Sequence, residues 1–244
     1  LAIHAGTMSF ALLQSALQLL AGKPPSLADR DRALKMLMTQ RLIKRISMPY
    51  QSMSAYRIAS ETCRTITIEQ MDSETLMLTH SALGKALSQL PNPDLIQIFE
   101  HARRARRFSE AKRVAELARQ RACNILAFSQ AAEIQSWVVS QRDEQRKESS
   151  RQELAELEAA SGQHQEAAQL WEHIAGEQKE GAARILAMCE ASEEWFYAGK
   201  LDLAGTLQER ALQEYFQQSY RPLQRPYHAT SFKQYWSTWF DRAP

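Results

Sequence analysis

The side chains best suited to metal or nucleophilic chemistry are six histidines (His4, His80, His101, His164, His173 and His228) and three cysteines (Cys63, Cys123 and Cys189). Metal sites need ligands that one helix turn or loop can bring together, as in HExxH or CxxC. No such spacing occurs, so each histidine reads as a surface or helix-packing residue. The cysteines are far apart and odd in number, which points to buried, reduced thiols and a cytoplasmic setting. There is also no glycine-rich phosphate loop, no G-x-S-x-G elbow and no kinase signature. Nothing in the sequence marks catalysis, and no cofactor or metal ligand is expected in this segment.

Charge offers one candidate for binding. Arg103, Arg104, Arg106, Arg107, Lys112 and Arg113 are the densest basic cluster, suited to a phosphate group or an acidic partner helix. The competing reading is a solvated helix end. Cations suit a helix C-terminus, and Glu100, Glu110 and Glu116 lie nearby. The formal net charge of the whole chain, +2, gives no general argument for nucleic acid or membrane.

Aromatic residues fall in two groups. Trp137, Trp171 and Trp195 recur near the same part of successive hairpins, as inter-helix packing requires. Near the end, Tyr227, Phe232, Tyr235, Trp236, Trp239 and Phe240 alternate with Arg221, Arg225, Lys233 and Arg242. Such a segment can lie on a membrane surface or dock on a further repeat, and docking is the favoured reading.

The elements that must position these residues are mostly helical. Eight glycines and eight prolines in 244 residues leave long stretches free of helix breakers. Apolar periodicity predicts a helix over 8–21 and a second over about 29–44, with Leu34, Leu37, Met38 and Leu42 facing inward. Ile46–Met48 and Ala55–Ile58, around Pro49-Tyr50-Gln51-Ser52, read as a two-stranded hairpin and the only β structure. Helix–helix–hairpin is the order of the C-terminal half of a winged helix.

From Glu61 onward helices dominate. Asp72 is placed to cap a helix running to about Leu90, ended by Pro91-Asn92-Pro93. Others are expected near 94–105, 108–124, 128–141, 148–161, 164–176, 181–198 and 201–217. Val114, Leu117, Ala118, Ala122, Ile125 and Leu126 should share one face of the 108–124 helix, and 142–151 should be a charged connector. Segments starting at Leu126, Gly162 and Gly199 each read as a tight turn entering a helix, with a small residue five positions on. Their spacing is close to the ~34-residue period of tetratricopeptide hairpins.

Several of these blocks resemble the region that follows the ATPase module in large bacterial STAND-type proteins, many of them serine/threonine kinase–ATPase fusions. Tyr56-Arg57-Ile58-Ala59-Ser60-Glu61 stands where that family has Y-R-F-x-H-D, with Ser60 in place of His and Glu61 in place of Asp. Thr79-His80-Ser81-Ala82-Leu83-Gly84-Lys85-Ala86-Leu87 stands where the family has L-H-x-x-L-A-x-A-L, with Thr79 in place of Leu and Gly84 in place of Ala. Glu100-His101-Ala102 and Ser109-Glu110-Ala111 resemble the A-H-H and E-R-A blocks. Leu126-Ala127-Phe128-Ser129-Gln130-Ala131-Ala132 fills L-A-F-x-x-A-A, and Ala198–Ala204 approaches S-G-x-L-D-E-G.

The resemblance implies a mainly α chain, with a winged-helix-like N-terminal part followed by an α-solenoid of tetratricopeptide-like helix hairpins. It divides the chain into a winged-helix-like remnant of an ATPase module (1–70), helical repeats (71–217) and an aromatic, basic connector to a C-terminal region (218–244). The chain would then be an internal piece of a longer protein, with kinase or ATPase motifs and bound ATP upstream of Leu1. Its expected role is a non-catalytic regulatory and interaction scaffold, with a protein partner or the ATPase module of its own chain as ligand. A DNA-binding winged helix is the alternative. Asp29 and Asp31 among Arg30, Arg32 and Lys35 argue against nucleic acid, and no apolar run reaches the ~20 residues of a membrane span.

Overall fold

Four helix starts, those of the second to fifth helices, follow capping chemistry. Ser26, Ser60, Asp72 and Asp94 each place a side-chain oxygen on the free N–H groups of a first helical turn. The computed structural model describes residues 2–4, 7–21, 26–47, 54–141, 147–179 and 181–219. In chain order the elements are β1 (Met8–Ser9), α1 (Phe10–Ala21), α2 (Leu27–Thr39), β2 (Ile43–Ser47), β3 (Ser54–Ile58), α3 (Glu61–Glu69), α4 (Ser73–Ser88) and α5 (Leu95–Arg104). There follow α6 (Phe108–Asn124), α7 (Phe128–Ser140), α8 (Lys147–Ala160), α9 (His164–Glu177), α10 (Ala182–Tyr197) and α11 (Leu201–Ser219). The protein is mainly α and divides into two compact units, Leu1–Ser150 and Arg151–Pro244.

The first unit holds the β structure. Its three strands are antiparallel in the order β1-β3-β2, with Met8 opposite Tyr56 and Arg45 opposite Tyr56 on the other side. β1 was not expected. Its two residues open what periodicity reads as a helix, and the buried Met8 fits either pattern. Met48 and the turn predicted at Pro49–Ser52 lie outside the described residues. Leu34, Ile43 and Tyr56 form a small cluster beneath the sheet, with Phe10, Leu37 and Met38 beside it.

The main core of this unit joins Met8, Leu12 and Ala16 to Leu83, Phe99, Ala102, Ala111, Ala118 and Ile134. The N-terminal elements and the first helix pairs therefore share one apolar interior, and position 70 lies inside this unit. The second unit has its own core, built from Ala168, Ile174, Ile185, Met188, Ala191, Trp195 and Leu207.

One turn recurs. After α5, α6, α8 and α10, the residues Arg106, Leu126, Gly162 and Gly199 take φ values of 56°, 59°, 84° and 75°. In each case the next N–H reaches back across the helix end. Arg107 donates to the Ala102 carbonyl, Ala127 to Ala122, Gln163 to Glu158 and Lys200 to Trp195, all at 2.9 Å. This is a Schellman closure followed at once by a new helix. Five positions after each left-handed residue sits a buried alanine: Ala111, Ala131, Ala167 or Ala204. Its lack of bulk lets the paired helices approach. The copy at Arg106 lies outside the three turn segments expected from the sequence.

Other expectations shift. α2 ends at Thr39 rather than near Lys44, because Arg41 takes φ 57° and Leu42 N–H closes onto the Leu37 carbonyl at 2.9 Å. Leu42 is consequently exposed, while Leu34 is buried. On α6 the buried face is Ala111, Val114, Ala115, Ala118 and Ala122. Leu117, Ile125 and Leu126 point to solvent, since the close helix contacts select small side chains. Of the connector expected over 142–151, residues 147–151 belong to α8, which begins at Lys147, and Arg151 pairs with Glu177; 142–146 lie outside the described residues.

Candidate functional site

The basic cluster surrounds the α5–α6 turn. Glu100 holds both Arg103 (2.8 Å) and Arg104 (3.4 Å), and Arg107 meets Glu110 at 2.7 Å. Lys112 Nζ donates to the Gln141 carbonyl at 3.5 Å. Arg106 sits exposed at the left-handed turn position and Arg113 is exposed on α6. Neither has an ion pair among the described residues. The turn thus positions six cations around two carboxylates, leaving an excess of positive charge at one end of a helix pair.

The structure also assembles a group that residue spacing did not reveal. His80 on α4, His101 on α5 and His4 before β1 are all buried, at 3%, 5% and 6% exposure. His80 Nδ1 lies 2.8 Å from His101 Nδ1. One nitrogen must carry the hydrogen while the other presents its lone pair. A second proton would set two N–H groups against each other. The His4 ring stacks on His101 with centroids 6.1 Å apart.

Burial pushes His101 down to about 3, aided by His80, His4 and Arg104. Burial and then Arg104 lower His80 to about 4, against the pull of Glu100. His4 is lowered too, chiefly by burial. Gly84 makes room beside this group: a Cβ there would come within 3.3 Å of His101 Cβ. A cavity of about 230 Å³ lined by Ile3, Ile68, Leu76, His80 and Arg104 opens alongside. Three neutral rings in an apolar setting are a packing device. Among the described residues, no group of three or more His, Cys, Asp or Glu is placed to hold a metal ion.

In the second unit polar groups pair differently. His164 Nδ1 meets Glu194 Oε2 at 2.8 Å, and Trp195 Nε1 donates to Glu172. Ser192 Oγ donates to the Ala204 carbonyl at 2.8 Å, tying α10 to α11. All three tryptophans expected to pack do so. Trp137 meets Phe99 edge to face at 5.2 Å, Trp171 lies against the second core, and Trp195 is within it. Leu186, Phe196, Tyr197, Leu201 and Phe216 remain exposed.

No protein-family model matches the chain, and no curated protein matches it. Among solved structures it is similar to one described as the nearly identical TPR-like repeats of a putative kinesin light chain from Podosopora anserina. That similarity has 18% identity and a TM-score of 0.39, and covers 66% of this chain and 85% of that one. It is also similar to BtubC (BKLC) from P. vanneervenii, at 12% identity and a TM-score of 0.28, over 88% of this chain and 97% of that one. The helix hairpins themselves are defined by this chain's own turns and buried alanines.

Proposed function

We propose that the chain is a non-catalytic regulatory and protein-interaction scaffold within a larger bacterial signalling ATPase or serine/threonine kinase. The carrying observation is the repeated helix pair. Alanines at the buried turn positions consume the close contacts, while large apolar side chains such as Leu117 and Ile125 stay outside and are available to a partner. The order β1-α1-α2-β2-β3 with sheet order β1-β3-β2 supports a winged-helix-like element at the N-terminal end. Its fusion to α4–α7 through one core supports a rigid link between an upstream ATPase module and the helix pairs. ATP would be bound by that module, outside this chain.

The cluster Arg103, Arg104, Arg106, Arg107, Lys112 and Arg113 would offer an acidic partner a cationic edge. The DNA-binding alternative is weakened on α2 itself. Arg30 is buried with its guanidinium 5.6 Å from the Phe10 ring centroid, leaving Arg32 and Lys35 beside Asp29 and Asp31. Among the described residues no helix is long and apolar enough to cross a membrane, and a cytoplasmic setting is part of the proposal. In the parent protein, removal of residues 94–217 should raise the rate of ATP hydrolysis at least threefold by releasing the module. An unchanged rate contradicts regulation by the helix pairs.

A further inference from the structure

The formal charge of +2 conceals a strong internal partition. Residues 151–219 carry thirteen Asp and Glu against five Lys and Arg, whereas residues 220–244 carry Arg221, Arg225, Lys233 and Arg242 against Asp241 alone. The acidic unit also carries a stripe that is exposed at Leu186, Glu190 and Tyr197 and half-buried at Glu193. Leu186, Glu190, Glu193 and Tyr197 follow one another at i, i+4, i+7 and i+11 on α10, on the side opposite Ile185, Met188, Ala191 and Trp195. Leu186 is 58% exposed and Tyr197 53%.

Like charges crowd this stripe. Burial and the carboxylates of Glu193, Glu194 and Glu156 raise the pKa of Glu190. Tyr197 Oη donates to Glu193 at 3.3 Å and its ring lies 5.4 Å from that of His164, so the aromatic end of the stripe is held in place. A face that combines apolar anchors with Glu190 and Glu193, neither of which has a Lys or Arg ion pair among the described residues, suits a segment carrying aromatics and cations together.

We propose that residues 221–242 of this chain dock along the Leu186–Glu190–Glu193–Tyr197 face of α10. Position and reach both permit it. Arg184 near the start of α10 pairs with Glu214 near the end of α11 at 3.0 Å, so the chain leaves α11 close to where the stripe begins. α10 is about 24 Å long at 1.5 Å per residue, and a segment of this size extends well beyond that at about 3.3 Å per residue. Trp236, Trp239 and their aromatic neighbours would cover Leu186 and Tyr197, while Arg225 and Lys233 would meet the carboxylates.

Lys233 is the one lysine in the segment, which makes zero-length carbodiimide coupling in the full chain a direct test. Peptide mass spectrometry should find Lys233 joined to Glu190, Glu193 or Glu194. In a mixture of light and heavy isotope-labelled protein, the joined peptides should share one label. Trp236→Ala/Trp239→Ala should lower the yield at least fivefold with unchanged far-ultraviolet circular dichroism. Coupling of Lys233 spread evenly over exposed carboxylates would overturn the docking. Mixed-label products would overturn the intrachain occupant in favour of a second copy. Undiminished yield in the double variant would overturn the role given to the aromatics.

Discussion

The first unit turns its helices on Arg106 and Leu126, whereas the second turns them on Gly162 and Gly199. The hydrogen-bonded geometry is the same in all four turns, and so is the buried alanine five positions later. Only the residue bearing the left-handed φ differs. Glycine adopts that conformation without steric cost, while a side chain costs roughly 1–2 kcal/mol there. In the first unit that cost is carried by a larger core that also includes strand and helix residues from the N-terminal end. The second unit has alanine-rich helix faces and its own smaller core, and uses the unstrained residue. Hairpin geometry is therefore set by closure and close packing, with glycine a convenience rather than a requirement.

Buried polar chemistry divides along the same line. The first unit encloses neutral imidazoles, and the second pairs His164 and Trp195 with carboxylates. The largest expected effect is on the first unit's centre. Phe99→Ala removes a fully buried ring and should cost about 3–5 kcal/mol. Hydrogen exchange should rise across α4–α6 and stay unchanged in α9–α11; a uniform rise would abolish the distinction between the units.

Acid should separate the units next. His80 and His101 have folded pKa values of about 4 and about 3, below the ordinary 6.5. Their stabilising contribution is complete above pH 6.5 and is lost as pH falls toward those values. The loss should be roughly 1.4 kcal/mol per pH unit for each independently titrating imidazole. Glu100 opposes it, and Arg104 and His4 reinforce it. Glu190, raised by burial and its acidic neighbours, contributes with the opposite sign and favours folding of the second unit as pH drops toward its ordinary value. Exchange rates of the two units measured between pH 7 and 4.5 should diverge, and parallel changes would contradict the assignment.

Smaller effects belong to the hairpins. Ala167→Leu adds about three carbon atoms to a site with 0% exposure and should destabilise the second unit by about 1–3 kcal/mol by chemical denaturation. At the turns, Leu126→Gly should stabilise and Gly199→Ala should destabilise, each by about 1 kcal/mol. Equal and opposite melting shifts would sharpen the comparison. A destabilising Leu126→Gly would show that the exposed Leu126 contributes packing.

Much of the fold was legible because helix punctuation and small-residue periodicity are local. The stretches read as 108–124, 164–176 and 201–217 became Phe108–Asn124, His164–Glu177 and Leu201–Ser219. The turns at Leu126, Gly162 and Gly199 were visible, while those on Arg41 and Arg106 were not, since nothing in an arginine announces a positive φ. β1 was hidden at the head of a helical pattern. The histidine group was invisible because it joins residues from a loop and two helices, with no spacing that a single element imposes. Ser60, where the resembled family has His, has a structural part: its hydroxyl caps α3 by accepting from Cys63 N–H at 3.3 Å. Whole-chain charge misled by averaging, since +2 is the sum of regions of opposite sign.

The most direct test of the proposed scaffold role is calorimetric titration of this chain into a purified ATPase module of the kind the proposal places upstream of it. A saturable complex with a Kd tighter than about 10 μM, weakened at least fivefold by Arg106→Glu/Arg113→Glu, is the predicted result. No heat of binding at 100-fold that concentration would contradict the account.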